Sequence, residues 1–130
     1  MLPLSQPRSW AESIPRAAGA SPAAAAATAR ALTDAKLRGL DTHGVVLLSL
    51  YVERVLSGAV NGKAKQPIVT ELPGFALIDG SDGLSTHVAT LPMRICCDKA
   101  HSAGAAVVAV RRSSHFGAAS YYTELAAERD

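Results

Sequence analysis

Two of the four histidines in this chain stand out by their surroundings. His43 lies in Asp41-Thr42-His43-Gly44-Val45, and His115 in Ser113-Ser114-His115-Phe116-Gly117. Each sits among small residues beside a glycine, which puts the imidazole next to exposed backbone rather than on an apolar face. Imidazole is the side chain whose unperturbed pKa lies near neutrality, so it can give and take protons at working pH. The pair therefore points to proton-transfer chemistry; the plainer reading of His43 is a turn or helix-capping residue. His115 follows an apolar run that reads as a strand, and ligand sites in α/β proteins open at the carboxyl ends of strands. Tyr51 reads as a core residue, but it falls two helical turns after His43 and can reach the same pocket.

Other chemistries find less support. No histidine pair has the i, i+4 spacing of a helical zinc site, and the adjacent Cys96 and Cys97 lack the gap of a thiolate knuckle, so no metal site is expected. Adjacent cysteines also have the wrong geometry for a mutual disulfide and read as small apolar residues of a reducing compartment. Gly80-Ser81-Asp82-Gly83 lacks the lysine of a phosphate loop, and no Gly-x-Gly-x-x-Gly follows a strand. A net charge of +2 and few aromatic residues argue against a nucleic-acid partner, and Arg111-Arg112 reads as a solvated strand end. The apolar run Ala23 to Ala27 is soon followed by charges, so neither a signal peptide nor a membrane span is expected, and the location is read as cytoplasmic.

The elements that must position these residues follow from spacing and punctuation. With 130 residues, 48% hydrophobic and 18% charged, the chain has the composition of one globular domain. Met1 to Arg8, with two prolines, is expected to be extended, and Ser9 with Glu12 to cap a short helix from Trp10 to about Ala18. Ser21-Pro22 opens an alanine-rich helix that Gly39 closes, with Ala24, Thr28, Ala31, Leu32 and Ala35 on one face. Asp41 and Thr42 are expected to cap a helix from Val45 to Leu56, with Leu48, Tyr51, Val52 and Val55 on one face. Ile68 to Leu72 and Phe75 to Asp79 read as hairpin strands, with Gly80 to Gly83 as a loop after them. A helical stretch from about Ser85 to Ser102 is expected to kink or split at Pro92, and Gly104 to end it. Ala105 to Val110 reads as a strand buried on both faces. A last helix is expected from about Gly117, still running at Asp130. The fold class is α/β: N-terminal helices, then a small mixed sheet with helices packed on it.

The stretch from Ala31 to Val45 (ALTDAKLRGLDTHGV), Tyr51 with Glu53 to Gly58, Leu77 to Gly80, and Val108 to Ala118 resemble the malate/L-lactate dehydrogenase family. That family is distinct from the Rossmann-type lactate dehydrogenases and includes ureidoglycolate and sulfolactate dehydrogenases. The resemblance runs in order over nearly the whole chain, which matches the amino-terminal portion of longer proteins. It implies hydride transfer between NAD or NADP and a small 2-hydroxy or 2-oxo acid. It implies His115 as the acid/base, His43 as a second catalytic residue that also lines the nicotinamide, and Thr42 and Tyr51 near the substrate. It also implies a homodimer, or a complementing C-terminal portion that carries most of the nucleotide-binding domain.

The chain departs from the family pattern at several positions. Leu47 stands where an arginine usually meets the substrate carboxylate, and leucine cannot make that bidentate pair. Thr42 replaces serine and keeps the hydroxyl. Ser85 replaces a glycine, Ser114 replaces a common asparagine, and Pro92 falls within a helix. The expectation is an oxidoreductase that is inactive as this portion alone. The rival is a non-catalytic stub that serves at most for dimerisation or binding, with exposed apolar faces that favour association.

Overall fold

In the computed structural model, residues 5–129 are described, with side chains from residue 9 onward. The first helix, α1, spans Ser5–Ala17. It begins earlier than the sequence suggests, so the expectation of extended chain up to Arg8 is corrected for Ser5 to Arg8, and its earlier part lies outside the described residues. Pro7 sits in the first turn, where a missing N–H costs nothing, and Ser9 falls inside the helix rather than at its cap. Pro15 is tolerated near the C-terminal end.

Helix α2 spans Pro22–Leu37. Ser21 is its N-cap: the hydroxyl accepts the Ala24 N–H at 3.2 Å, and Pro22 fills a position whose N–H would be unpaired in any case. Gly39, at φ +75°, ends it. Ala24, Ala25 and Ala29 are buried against α1, where their small side chains let the two helices approach closely. Leu32 adds to this core from α2, while Ala31 faces a second cluster with Tyr121, Tyr122 and Leu125. Thr28 is fully buried and its hydroxyl meets that of Thr86 at 2.7 Å.

The next segment differs from expectation. Instead of one helix from Val45, two short 3-10 turns, Asp41–His43 and Val45–Leu47, lead into α3, Leu48–Leu56. Neither Asp41 nor Thr42 caps a helix: Asp41 pairs with Lys36, and Thr42 bonds to His43. Gly44 breaks the helical run, with an extended backbone packed against Lys36 so closely that a Cβ would lie 3.2 Å from the lysine Cβ. Within α3, Leu48 and Tyr51 are buried and Val52 and Val55 pack beside them, as their shared face suggests.

The sheet has three strands in the order β1-β2-β3. Strand β1, Ile68–Leu72, pairs antiparallel with β2, Phe75–Gly83, and β2 pairs parallel with β3, Val107–Ser113. The segment expected as a loop, Gly80 to Gly83, is the irregular end of β2, where the ladder to β3 slips between Asp79 and Gly83. Ser81 and Asp82 adopt positive φ there. Gly83 must be glycine for another reason: a Cβ would come within 2.6 Å of Ala64 and Val88. The expected long helix is two, α4 (Ser85–Val88) and α5 (Thr90–Ala103). The break falls at Ala89, three residues before Pro92, because the proline has no N–H for the Val88 carbonyl.

Strand β3 corrects another expectation. It is an edge strand, and Val107 is 64% exposed, so it is not buried on both faces. Val108 and Val110 face α5 across a small apolar cavity. Among the described residues no strand lies on its outer side. Helix α6 spans Ala119–Ala127 and stops there, with Glu128 as its C-cap.

Candidate active site

The helical arm of α3 and the loop after β3 converge on one point. Tyr51 is 3% exposed, anchored in the α1/α2/α3 core, and only its hydroxyl reaches outward. That hydroxyl lies 2.7 Å from His115 Nδ1. The two rings are tilted at 49°, with centroids 5.9 Å apart. On the other side His43 stacks over His115, centroids 6.0 Å apart and planes 26° from parallel. Thr42 Oγ1 lies 3.0 Å from His43 Nδ1. The four residues singled out from the sequence thus form one cluster: Thr42, His43, His115 and Tyr51.

Burial raises the Tyr51 phenol above the ordinary tyrosine value, with Arg54 acting weakly against it, so the hydroxyl stays protonated at working pH. His115 is exposed and His43 half-buried, so both rings are open to a ligand. Gly117, at φ +76°, turns the chain just after His115, and a Cβ there would sit 3.7 Å from the Tyr51 hydroxyl. Phe116 packs on Tyr122 with tilted rings, centroids 4.2 Å apart, and the Tyr122 hydroxyl donates to the Phe116 carbonyl at 2.7 Å.

The structure also shows ion pairs that the sequence reading of Arg111-Arg112 as a solvated strand end did not include. Arg111 and Arg112 are not merely solvated. Arg111 Nε donates to Asp79 at 3.0 Å, and Arg112 forms an ion pair with Asp82. Asp79 is buried and also accepts the Ser81 N–H at 2.8 Å. This N–H first, then the Arg111 guanidinium, holds the Asp79 carboxyl below the usual carboxylate range. The clue was the parallel register that sets Asp79 beside Arg111, which no short-range pattern reveals. Leu47 is half-buried against the helical core and supplies no charge. His87 is half-buried, and His101 bonds through Nε2 to the Arg129 carbonyl at 3.2 Å. Among the described residues no three His, Cys, Asp or Glu side chains converge as a metal site, and no helix is long and apolar enough to cross a membrane.

Residues 2–130 match the family model of malate/L-lactate dehydrogenase. The chain belongs to the malate/L-lactate dehydrogenase family. It is 43% identical over 94 residues to the malate dehydrogenase of Pyrococcus abyssi, covering 72% of this chain and 26% of that protein. It is 40% identical over 103 residues to the L-sulfolactate dehydrogenase of Methanocaldococcus jannaschii, covering 79% of this chain and 30% of that protein. The solved malate dehydrogenase of Pyrococcus horikoshii superposes with a TM-score of 0.93 at 36% identity, over 98% of this chain and 36% of that one. The α/β fold is therefore the family's, and the chain spans about a third or less of the length of these relatives.

Proposed function

We propose that this chain is the amino-terminal portion of an NAD(P)-dependent dehydrogenase acting on a small 2-hydroxy or 2-oxo acid. The observation that carries this reading is the Tyr51–His115–His43 cluster, with His115 exposed at its centre. His115 is the acid/base. Its Nδ1–H donates to the Tyr51 hydroxyl oxygen, which can accept from the ring in both charge states. Nε2 is then the atom that exchanges the proton: it takes one from the substrate hydroxyl in oxidation and returns one to the carbonyl oxygen in reduction. Thr42 fixes the His43 ring, and His43 orients the substrate oxygen and the nicotinamide edge.

A bound nicotinamide would supply the hydride acceptor or donor. The residues at the site suit the ring end of such a cofactor. Imidazoles and hydroxyls face outward there, and three nearby cations, Lys36, Arg111 and Arg112, are already paired to carboxylates. Most of the nucleotide-binding domain therefore belongs to a complementing C-terminal portion, and the chain alone does not turn over. The open edge of β3 and the apolar cavity of about 170 Å³ beneath it, lined by Pro92, Met93, Val108, Val110 and Phe116, support docking of that portion there. The same edge supports the second reading, a non-catalytic binding module or homodimer. The adjacent Cys96 and Cys97, which form no disulfide, fit a cytoplasmic protein.

The test is a chimera in which residues 2–130 replace the matching segment of the Pyrococcus horikoshii enzyme. We expect oxidation of NADH or NADPH with a 2-oxo acid, and its loss in His115→Ala with nucleotide binding intact. Unchanged turnover in that variant would refute the assignment.

A further inference from the structure

The loop that carries His115 is tied to the rest of the molecule by hydroxyl groups outside the proton-transfer cluster. Ser114, the residue before His115, donates its hydroxyl to the Gly83 carbonyl at 2.9 Å. A hydroxyl has one proton and two lone pairs. With its proton spent on Gly83, Ser114 Oγ accepts from both its other neighbours, the Ser85 N–H and the Ser85 hydroxyl, each at 3.2 Å. The Ser85 proton is then committed to Ser114, so Ser85 Oγ accepts in turn from Ser113 at 2.7 Å. The result is a directed chain from Ser113 through Ser85 and Ser114 to Gly83, with every capacity of Ser114 filled.

Helix α4 has no side-chain cap from its own N-cap residue, Leu84. Ser114 caps it from across the fold through the Ser85 N–H. Ser85 is 1% exposed, so water does not compete for its hydroxyl. Ser85 and Ser114 are both positions at which this sequence departs from the family pattern, and here they touch.

We propose that Ser114, held by Ser85, is a positioning residue that fixes the direction of the His115 ring toward Tyr51. Ser114 and Phe116 flank the histidine, one bound to Gly83 and Ser85 and the other to Tyr122, so the backbone on both sides of His115 is held. The ring itself is exposed and meets the Tyr51 hydroxyl at 2.7 Å and the His43 ring at 6.0 Å, so its direction depends on how the backbone beside it is held. This rests on the reading of His115 as the proton-transfer group, but its test does not need turnover.

The measurement is the imidazole nitrogen spectrum of the nitrogen-15-labelled 130-residue chain above neutral pH, with His115 assigned through H115Q. We expect one tautomer in the unaltered chain, with the proton on Nδ1. S114A and S85A should each lose that signature and show the mixed tautomers of a free ring. The double variant should be no worse than either single one, because both break one chain of bonds. S114T, which keeps the hydroxyl, should retain it. Should S114A fail to fold by circular dichroism, S114C keeps the size and weakens the bonds, and it should show the same loss. An unchanged His115 spectrum in S114A or in its S114C substitute, a mixed spectrum in the unaltered chain, or losses that add in the double variant would each overturn the proposal. If His115→Ala keeps its turnover in the chimera while S114A still loses the tautomer, the proton-transfer reading fails and the positioning role stands.

Discussion

At the scale of single residues, the proposed chemistry rests on which atom of His115 is free. Tyr51→Phe removes the hydroxyl that holds Nδ1, so we expect kcat in the chimera to fall about 10- to 100-fold, part of the ~10²–10⁴ that general acid–base catalysis supplies. A KM change with kcat intact would place Tyr51 against the substrate instead. Leu47→Arg places a cation where the resemblance expects one, and a charge-assisted pair of ~1.5–3 kcal/mol should raise kcat/KM for 2-oxo acids by roughly 10- to 100-fold; no gain would mean that the carboxylate binds elsewhere. His87 offers a pH test. Burial holds its imidazole below the ordinary histidine value, so the unfolded chain takes up that proton at higher pH than the folded one. Stability should therefore fall as pH drops through about 6.5, and His87→Gln should remove that slope in urea titrations. The candidate residues were legible because histidine beside glycine and a small hydroxyl residue is a local pattern. The Tyr51–His115 contact, across 64 positions, and the seat of Ser114 on Ser85 were not, since the first depends on how the loop after β3 meets α3 and the second on how it meets the start of α4.

At the scale of elements, punctuation was readable where one residue decides the outcome. Ser21-Pro22 starts α2 and Gly39 ends it because capping and positive φ are local matters. The start of α1 and the 3-10 turns at Asp41–His43 were not readable, because the packing of Gly44 on Lys36 overrides capping preference. Two contacts between elements carry measurable energy. Thr28→Val should cost ~1–3 kcal/mol in denaturant, since it leaves the buried Thr86 hydroxyl without its partner, while the double Val variant should be nearly neutral. A neutral single variant would mean that Thr86 finds another partner. Asp79 joins β2 to β3 through Arg111. Its lowered carboxyl stabilises the fold above about pH 4 and loses that effect as pH falls through the folded value, so Asp79→Asn should lower Tm at neutral pH, with the difference narrowing below about pH 4. A difference independent of pH would locate its role in packing alone.

At the scale of the whole molecule, the chain spans about a third or less of its relatives, and its sheet has two open edges among the described residues: β1, with Ile68, Val69 and Leu72 exposed, and β3, with Val107 exposed. The apolar run in β3 reads as a central strand and sits at a border among the described residues. We expect no saturable fluorescence change when NADH or NADPH is added to the chain alone, and a concentration-dependent dimer in sedimentation. Tight nucleotide binding by the monomer would mean that the cofactor site is more complete than proposed. The β3 edge has a signature in time as well. Val107 donates its N–H to Gly74 at 2.9 Å, so in a regular parallel ladder Ala109 and Arg111 also face β2, while the amides of Val108 and Val110 point outward. In heavy water, neighbouring amides of one strand would therefore run on two clocks, fast at Val108 and Val110 and slow at Ala109 and Arg111. A strand docked on that edge would bring the two clocks together.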